Sequence, residues 1–223
     1  TLEEVILTAS GGPFYKTPLS KFKNIKVSDA LNHPNWKMGK KISTDSATMI
    51  NKVYEVMEAK KVFNIDYKKI KILIHPNSYI HAILKFKNGL TNVIAHDTTM
   101  KIPIFNTLFL NSDRKLETNK ININILNDMN LNNVNPKRFP MIKLLNFLPN
   151  NNSLFETVIV ATNDKLVELF LNNKIKFTDI QKYLFKIIRR KEFQKFKKKL
   201  PVNIKDITNL NDYARLKIDE NNI

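Results

Sequence analysis

Cysteine is absent from the 223 residues, which excludes disulfides, thiolate nucleophiles and cysteine-based zinc sites. Long apolar runs are missing too: none approaches the roughly 20 residues that a bilayer-spanning helix needs. The opening residues carry no basic segment followed by an apolar stretch, so no secretion signal is read there. The chain starts at Thr1 rather than Met, which is compatible with processing or truncation upstream. Together these features suit a cytoplasmic protein. Arginine is scarce, with only Arg114, Arg138, Arg189, Arg190 and Arg215 among 37 basic residues. Surfaces that read phosphates or base edges favour the planar, bidentate guanidinium, so this scarcity weakens a nucleic-acid reading of the formal charge of +17. Lys, Asn and Ile are all abundant and all favoured by AT-rich codons, which suffices to explain the charge. A general attraction for anionic, phosphorylated substrates remains compatible with it. Glycine occurs four times, and half of that supply is spent at Gly11-Gly12.

What is present describes a globular chain. Hydrophobic residues make up 43%, and the length suffices for one large domain or two small ones. Residues 4 to 9 form a buried-strand pattern that breaks at Ser10-Gly11-Gly12-Pro13. Such a turn either simply ends a strand or lets backbone N–H groups approach an anion. Residues 26 to 41, with His33, Pro34, the single Trp36 and Gly39, are expected to be a loop. Its Trp serves either as a packing residue or as part of a segment that closes over a ligand. Thr44, Asp45 and Ser46 are N-cap candidates for a following helix whose core face is Met49, Val53, Val56 and Met57. Asn51, Lys52 and Glu55 share another face, where Lys52 and Glu55 form either a solvated pair or part of a site.

Strands are expected at 70 to 75, 79 to 86 and 91 to 95, the last two joined by an Asn88-Gly89 hairpin turn. A helix from about 104 to 110 follows, and 121 to 125 are expected to form a short strand. Apolar stripes at Met141, Leu144, Leu145 and Leu148, at Leu166, Leu169 and Phe170, and at Tyr183, Leu184 and Ile187 indicate a helical bundle. The expected fold class is an α+β domain, mostly antiparallel sheet backed by helices, followed by an all-α bundle. The corresponding division is 1–110, a connecting segment 111–137, and 138–223.

The ordered blocks Ser10 to Phe14, His33 to Ser43, Asp45 to Lys52 and Ile74 to Ser78 resemble 1-deoxy-D-xylulose 5-phosphate reductoisomerases. The resemblance covers residues 1 to 110 and weakens beyond them. It implies NADPH- and divalent-metal-dependent (Mg²⁺, Mn²⁺ or Co²⁺) conversion of 1-deoxy-D-xylulose 5-phosphate to 2-C-methyl-D-erythritol 4-phosphate. In that scheme the metal acts as a Lewis acid during carbon–carbon cleavage and rejoining, and NADPH reduces the rearranged aldehyde. It also implies a homodimer with no nucleic-acid or membrane partner, in a bacterial cytoplasm or alternatively a plastid. Carried over by position, Ser10, Ser46, Asn51 and Lys52 bind the substrate phosphate, with His33 beside them. Glu55 is a metal ligand, and Glu55, Lys52 and His33 form the catalytic set. Trp36 and Met38 belong to a mobile flap. Ser78 and His81 line the substrate side, Met100 lines the nicotinamide side, and His75 and His96 are structural.

Several positions depart from the family pattern. Val53 follows Lys52 where the family usually has Gly, no Trp-Pro element follows Met100, and Ala161-Thr162-Asn163-Asp164 stands where Ala-Asn-Glu is expected. Asn163 is accordingly a minor candidate near the phosphate. Nothing reads as G-x-G-x-x-G, and the family's Asp-Ser-Glu metal motif would lie upstream of Thr1. The 223 residues alone are therefore expected to be inactive, as part of a longer protein. Two other readings stand beside this one: a non-catalytic phosphosugar-binding relative, and a basic RNA-associated protein using Lys186 to Lys199.

Overall fold

The computed structural model describes residues 2–110 and 113–220, so Asn111 and Ser112 of the expected connecting segment lie outside the described residues. In chain order the elements are β1 (Leu2–Ala9), α1 (Val27–Leu31), α2 (Lys40–Thr48), α3 (Ile50–Phe63), β2 (Ile70–Ile74), β3 (Ile80–Phe86), β4 (Thr91–Ala95), α4 (Lys101–Leu108), α5 (Ile123–Asn127), β5 (Asn132–Asn133), α6 (Phe155–Leu171), α7 (Phe177–Ile188), α8 (Lys191–Gln194) and α9 (Ile204–Asp219). Short 3-10 helices occupy Leu19–Asn24, Tyr67–Lys69, Pro140–Phe147 and Lys195–Lys198.

Two compact units result. The first runs through Gly11 and takes in Asn35–Lys37 and Lys68–Val134; the second comprises Gly12–Pro34, Met38–Tyr67 and the chain from Asn135 onward. These units are discontinuous in sequence, a different partition from the linear one at 110 and 137.

The first unit is built on a five-stranded sheet of order β4-β3-β1-β2-β5. β1 pairs in parallel with β2, with Val5 opposite Ile70, and antiparallel with β3. β3–β4 and β2–β5 are also antiparallel, so the sheet is mixed rather than purely antiparallel. Val5, Ile70, Ile74, Ile80 and Ile83 are buried, as β-branched residues on a half-covered pleated surface should be. The β3–β4 hairpin closes as expected at Asn88-Gly89, with Gly89 at φ 88°. Two expectations change in this unit. Residues 121 to 125 are not a strand: the Asn122 side chain accepts from Asn124 N at 3.0 Å and caps α5 instead. The helix expected from 104 begins at Lys101, because Pro103 falls in the first turn, where its missing N–H costs nothing.

The second unit is helical. α6 is its spine, packed by α2, α7 and α9, and Phe155, Val158, Ile159, Leu166 and Val167 are essentially inaccessible. Phe14 and Phe177 meet edge to face, 5.0 Å between ring centres. The stripe Met141 to Leu148 is mostly 3-10 rather than α-helical. The expected loop at 26 to 41 is shorter than anticipated, since α1 forms where Asp29 accepts from Lys26 N at 2.9 Å and α2 starts at Lys40. The most consequential correction concerns Thr44, Asp45 and Ser46. They do not cap a helix. All three are buried inside α2, which ends at Thr48; Met49 then turns the chain in the left-handed region (φ 62°, ψ 17°) and α3 begins at Ile50. Thr44 Oγ1 donates back to Lys40 O at 2.9 Å, and Asp45 accepts from the distant Asn163 at 2.8 Å, a partner no local pattern reveals.

Candidate functional site

The α2–α3 corner concentrates chemistry in the second unit. Ser46 precedes the left-handed Met49, and Asn51 and Lys52 occupy the first turn of α3. Hydroxyl, amide and ammonium groups around a helix N-terminus form a set of donors suited to a dianion. The corner is closely built. Gly12, at φ 61°, lies so near it that a Cβ there would be 2.8 Å from the Ser46 carbonyl oxygen and 3.3 Å from Ala47 Cα. Only glycine fits, which accounts for the second glycine of the Ser10-Gly11-Gly12 turn. Asn51 Oδ1 is enclosed and has no hydrogen-bond partner among the described residues.

Lys52 Nζ donates to both Glu55 oxygens, each at 2.8 Å. Lys52 is mostly covered, at 16% side-chain exposure, whereas Glu55 is 39% exposed. A half-desolvated ammonium held by one carboxylate is a positioned charge rather than a freely solvated one. Glu55 alone does not make a magnesium site, because that ion takes near-octahedral oxygen coordination. Among the described residues no group of three or more His, Asp or Glu side chains is placed to hold a metal. Elsewhere in this unit, burial lowers the His33 pKa and so favours its neutral imidazole. Met38 is exposed, and Asn163 is buried on α6 with its Nδ2 donating to Asp45 at 2.8 Å.

Ser10, Trp36, Ser78, His81 and Met100 belong to the first unit. Asn35 Nδ2 donates to Pro76 O at 2.7 Å and to Ser78 Oγ at 2.9 Å, so the segment carrying Trp36 is tied to the loop after β2. Ser78 is buried at a positive φ of 54°. His81 and His96 stack with ring centres 3.7 Å apart, and His81 Nε2 lies 3.3 Å from the His96 carbonyl. His75 is fully buried with Nδ1 3.1 Å from Asn130 O, while Met100 is exposed at the start of α4. Two groups of residues were missed by reading the sequence: Asn35, and the cluster of Lys41, Asp45 and Asp164. Asn35 carried no signal beyond its place beside Trp36. Asp45 stood inside a conspicuous block but read as a cap. A cavity of about 810 Å³ bounded by Leu154, Phe196, Leu200 and Tyr213 contains none of the candidate residues.

Fold and corner together define an α+β protein in which Ser46, Asn51 and Lys52 gather where α2 meets α3. Family models described as the 1-deoxy-D-xylulose 5-phosphate reductoisomerase C-terminal domain and the DXP reductoisomerase C-terminal domain match residues 1–63 and 97–217 respectively. The chain belongs to the 1-deoxy-D-xylulose 5-phosphate reductoisomerase family. It is 60% identical over 216 residues to the 1-deoxy-D-xylulose 5-phosphate reductoisomerase of Pelagibacter ubique (strain HTCC1062), covering 97% of this chain and 56% of that protein. The corresponding protein of Malacoplasma penetrans (strain HF-2) is 37% identical, with 96% and 55% covered. A crystal structure of DOX-P reductoisomerase in complex with NADPH, fosmidomycin and magnesium superposes with a TM-score of 0.88 at 28% identity, over 99% of this chain and 55% of that one. The Zymomonas mobilis enzyme in complex with NADPH gives a TM-score of 0.82 at 30% identity, over 97% of this chain and 54% of that one. The chain thus spans about half the length of the relatives it matches.

Proposed function

We propose that this chain forms the substrate-facing part of a 1-deoxy-D-xylulose 5-phosphate reductoisomerase, which uses NADPH and a divalent metal to make 2-C-methyl-D-erythritol 4-phosphate. The observation that carries the reading is the α2–α3 corner, where Lys52 is held at 2.8 Å by Glu55 directly after a left-handed turn that presents Ser46 and Asn51. Ser46, Asn51 and Lys52 take the substrate phosphate, with Ser10 and His33 as further contacts. A neutral His33 donates from one ring nitrogen without adding charge. Glu55 holds and aims Lys52, and offers one carboxylate to the metal. One carboxylate is too few to hold the ion by itself. Trp36 and Met38 cover the substrate, excluding water while a reactive aldehyde awaits reduction. Ser78 and His81 line the substrate, and Met100 lies on the nicotinamide side.

In the same reading, residues 1–110 serve catalysis, 111–137 connect, and 138–223 form a C-terminal helical bundle that supports the corner. The protein works as a homodimer in a bacterial cytoplasm. Support for the assignment comes from the named relatives and from the complexes of the solved neighbours with NADPH and magnesium. The test is to express the chain with its upstream region and follow NADPH oxidation with 1-deoxy-D-xylulose 5-phosphate and Mg²⁺. Turnover is expected. Binding of the phosphosugar without turnover would make the protein a non-catalytic relative, and absence of binding would remove the reading altogether.

A further inference from the structure

α2 ends in a run of buried polar side chains, Ser43 to Ser46 and Thr48, an unusual load for a packed helix. At its centre the Asp45 carboxylate is 1% exposed. One oxygen accepts from Asn163 Nδ2 on α6 at 2.8 Å, and the other lies 2.6 Å from Lys41 Nζ, one turn back on α2. Lys41 also sits 2.9 Å from Asp164, the chain neighbour of Asn163. Two carboxylates therefore share one ammonium across the α2–α6 contact. Burial raises the Asp45 pKa, and Lys41 and Asn163 act against that rise. Apolar residues would join two helices at lower cost than a buried carboxylate does. What the polar contact adds is direction.

That direction leads to the corner. The Asp45 carbonyl accepts from Thr48 Oγ1 at 3.1 Å, and the same hydroxyl accepts from Ile50 N at 3.4 Å. Met49 N donates to Ser46 O at 3.1 Å, and Lys52 N to Met49 O at 3.3 Å. Through the side chain and backbone of Asp45, α6 is linked to both sides of the left-handed turn: Ser46 before it, Asn51 and Lys52 after it. Resting on the phosphate reading of this corner, we propose that Asp45 and Asn163 are positioning residues whose hydrogen bond holds Ser46, Asn51 and Lys52 in one anion-binding geometry. Neither touches the substrate. This gives Asn163, on its own helix, a task distinct from phosphate contact.

The test uses the full-length protein with its upstream region. For Asn163→Leu, the KM for 1-deoxy-D-xylulose 5-phosphate and the dissociation constant of inorganic phosphate both rise about tenfold, with kcat within about twofold. The reciprocal swap of Asp45→Asn with Asn163→Asp keeps one amide facing one carboxylate and recovers phosphate affinity. Unchanged affinity in Asn163→Leu, or a loss that the swap leaves in place, overturns the proposal. Where Asn163→Leu does not fold, Thr48→Val preserves shape and deletes only the hydroxyl bridge. It weakens phosphate binding about threefold if the linkage operates, and wild-type affinity would refute it. If the unmodified protein shows no turnover, the functional reading falls, while the phosphate titrations of these variants still decide the role of Asp45 and Asn163.

Discussion

Lys52 shows how little of a site one residue reveals until its surroundings are known. A Lys and a Glu three apart on a helix are commonplace, yet here the ammonium is mostly covered and gripped by both carboxylate oxygens at 2.8 Å. In the proposed reading Lys52 contacts the substrate phosphate; Lys52→Met then removes that charge-assisted contact, and KM should rise about ten- to a hundredfold in the full-length protein. Steady-state kinetics check this, and an unaltered KM would take Lys52 out of the phosphate site. Gly12 offers a stability counterpart. Alanine there would hold a positive φ of 61° and bring its Cβ to 2.8 Å from the Ser46 carbonyl oxygen. Backbone cannot yield as a flexible side-chain end would. Gly12→Ala should cost about 1–3 kcal/mol in urea unfolding. Wild-type stability in that variant would mean the corner relaxes freely.

At the scale of elements, the α2–α6 contact is an electrostatic joint set into an apolar core. Burial works against the Lys41 charge, but Asp45 and Asp164 outweigh it and raise its pKa above 10.5. A lysine raised on folding contributes stability in full below its unfolded pKa and loses it as pH climbs through the folded value. Urea unfolding of the wild type and of Lys41→Met should therefore differ clearly at about pH 9, with the gap narrowing at about pH 11.5. A gap that stays constant or widens would show that Lys41 stabilises by packing alone. The same joint explains a misread boundary. Thr44-Asp45-Ser46 has the composition of an N-cap, but Asn163, 118 residues away from Asp45, supplies a hydrogen-bond partner inside the helical unit. Local chemistry made the cap a reasonable expectation, but residues 44–46 lie inside α2, where Asp45 instead faces Asn163.

For the molecule as a whole, the 223 residues bring one prospective metal carboxylate, and no described cluster completes a cation site. Alone they should show no NADPH turnover, whereas the chain with its upstream region should. Turnover by the isolated chain would require a cofactor site that the proposed reading does not contain. No described helix is long and apolar enough to cross a membrane. Should RNA bind, filter titration at two salt concentrations would measure how much of that is the Lys-driven counterion effect.

From order and residue type alone, the sequence determined the family resemblance, the strands at β2 to β4, the Asn88-Gly89 hairpin and the candidate residues Ser46, Asn51, Lys52 and Glu55. The strands and the hairpin depend on short-range spacing, where periods of two and 3.6 residues and glycine's freedom at positive φ act directly, while the candidate residues follow from the resemblance. Only the tertiary structure decided that β1 lies at the centre of a mixed sheet, that one expected helix is two joined at Met49, and that Asp45 faces Asn163. The place of β1 in the sheet and the Asp45–Asn163 contact turn on partners dozens of residues distant. The energy of such a contact exists only once the chain has folded, so no window of neighbouring residues contains it.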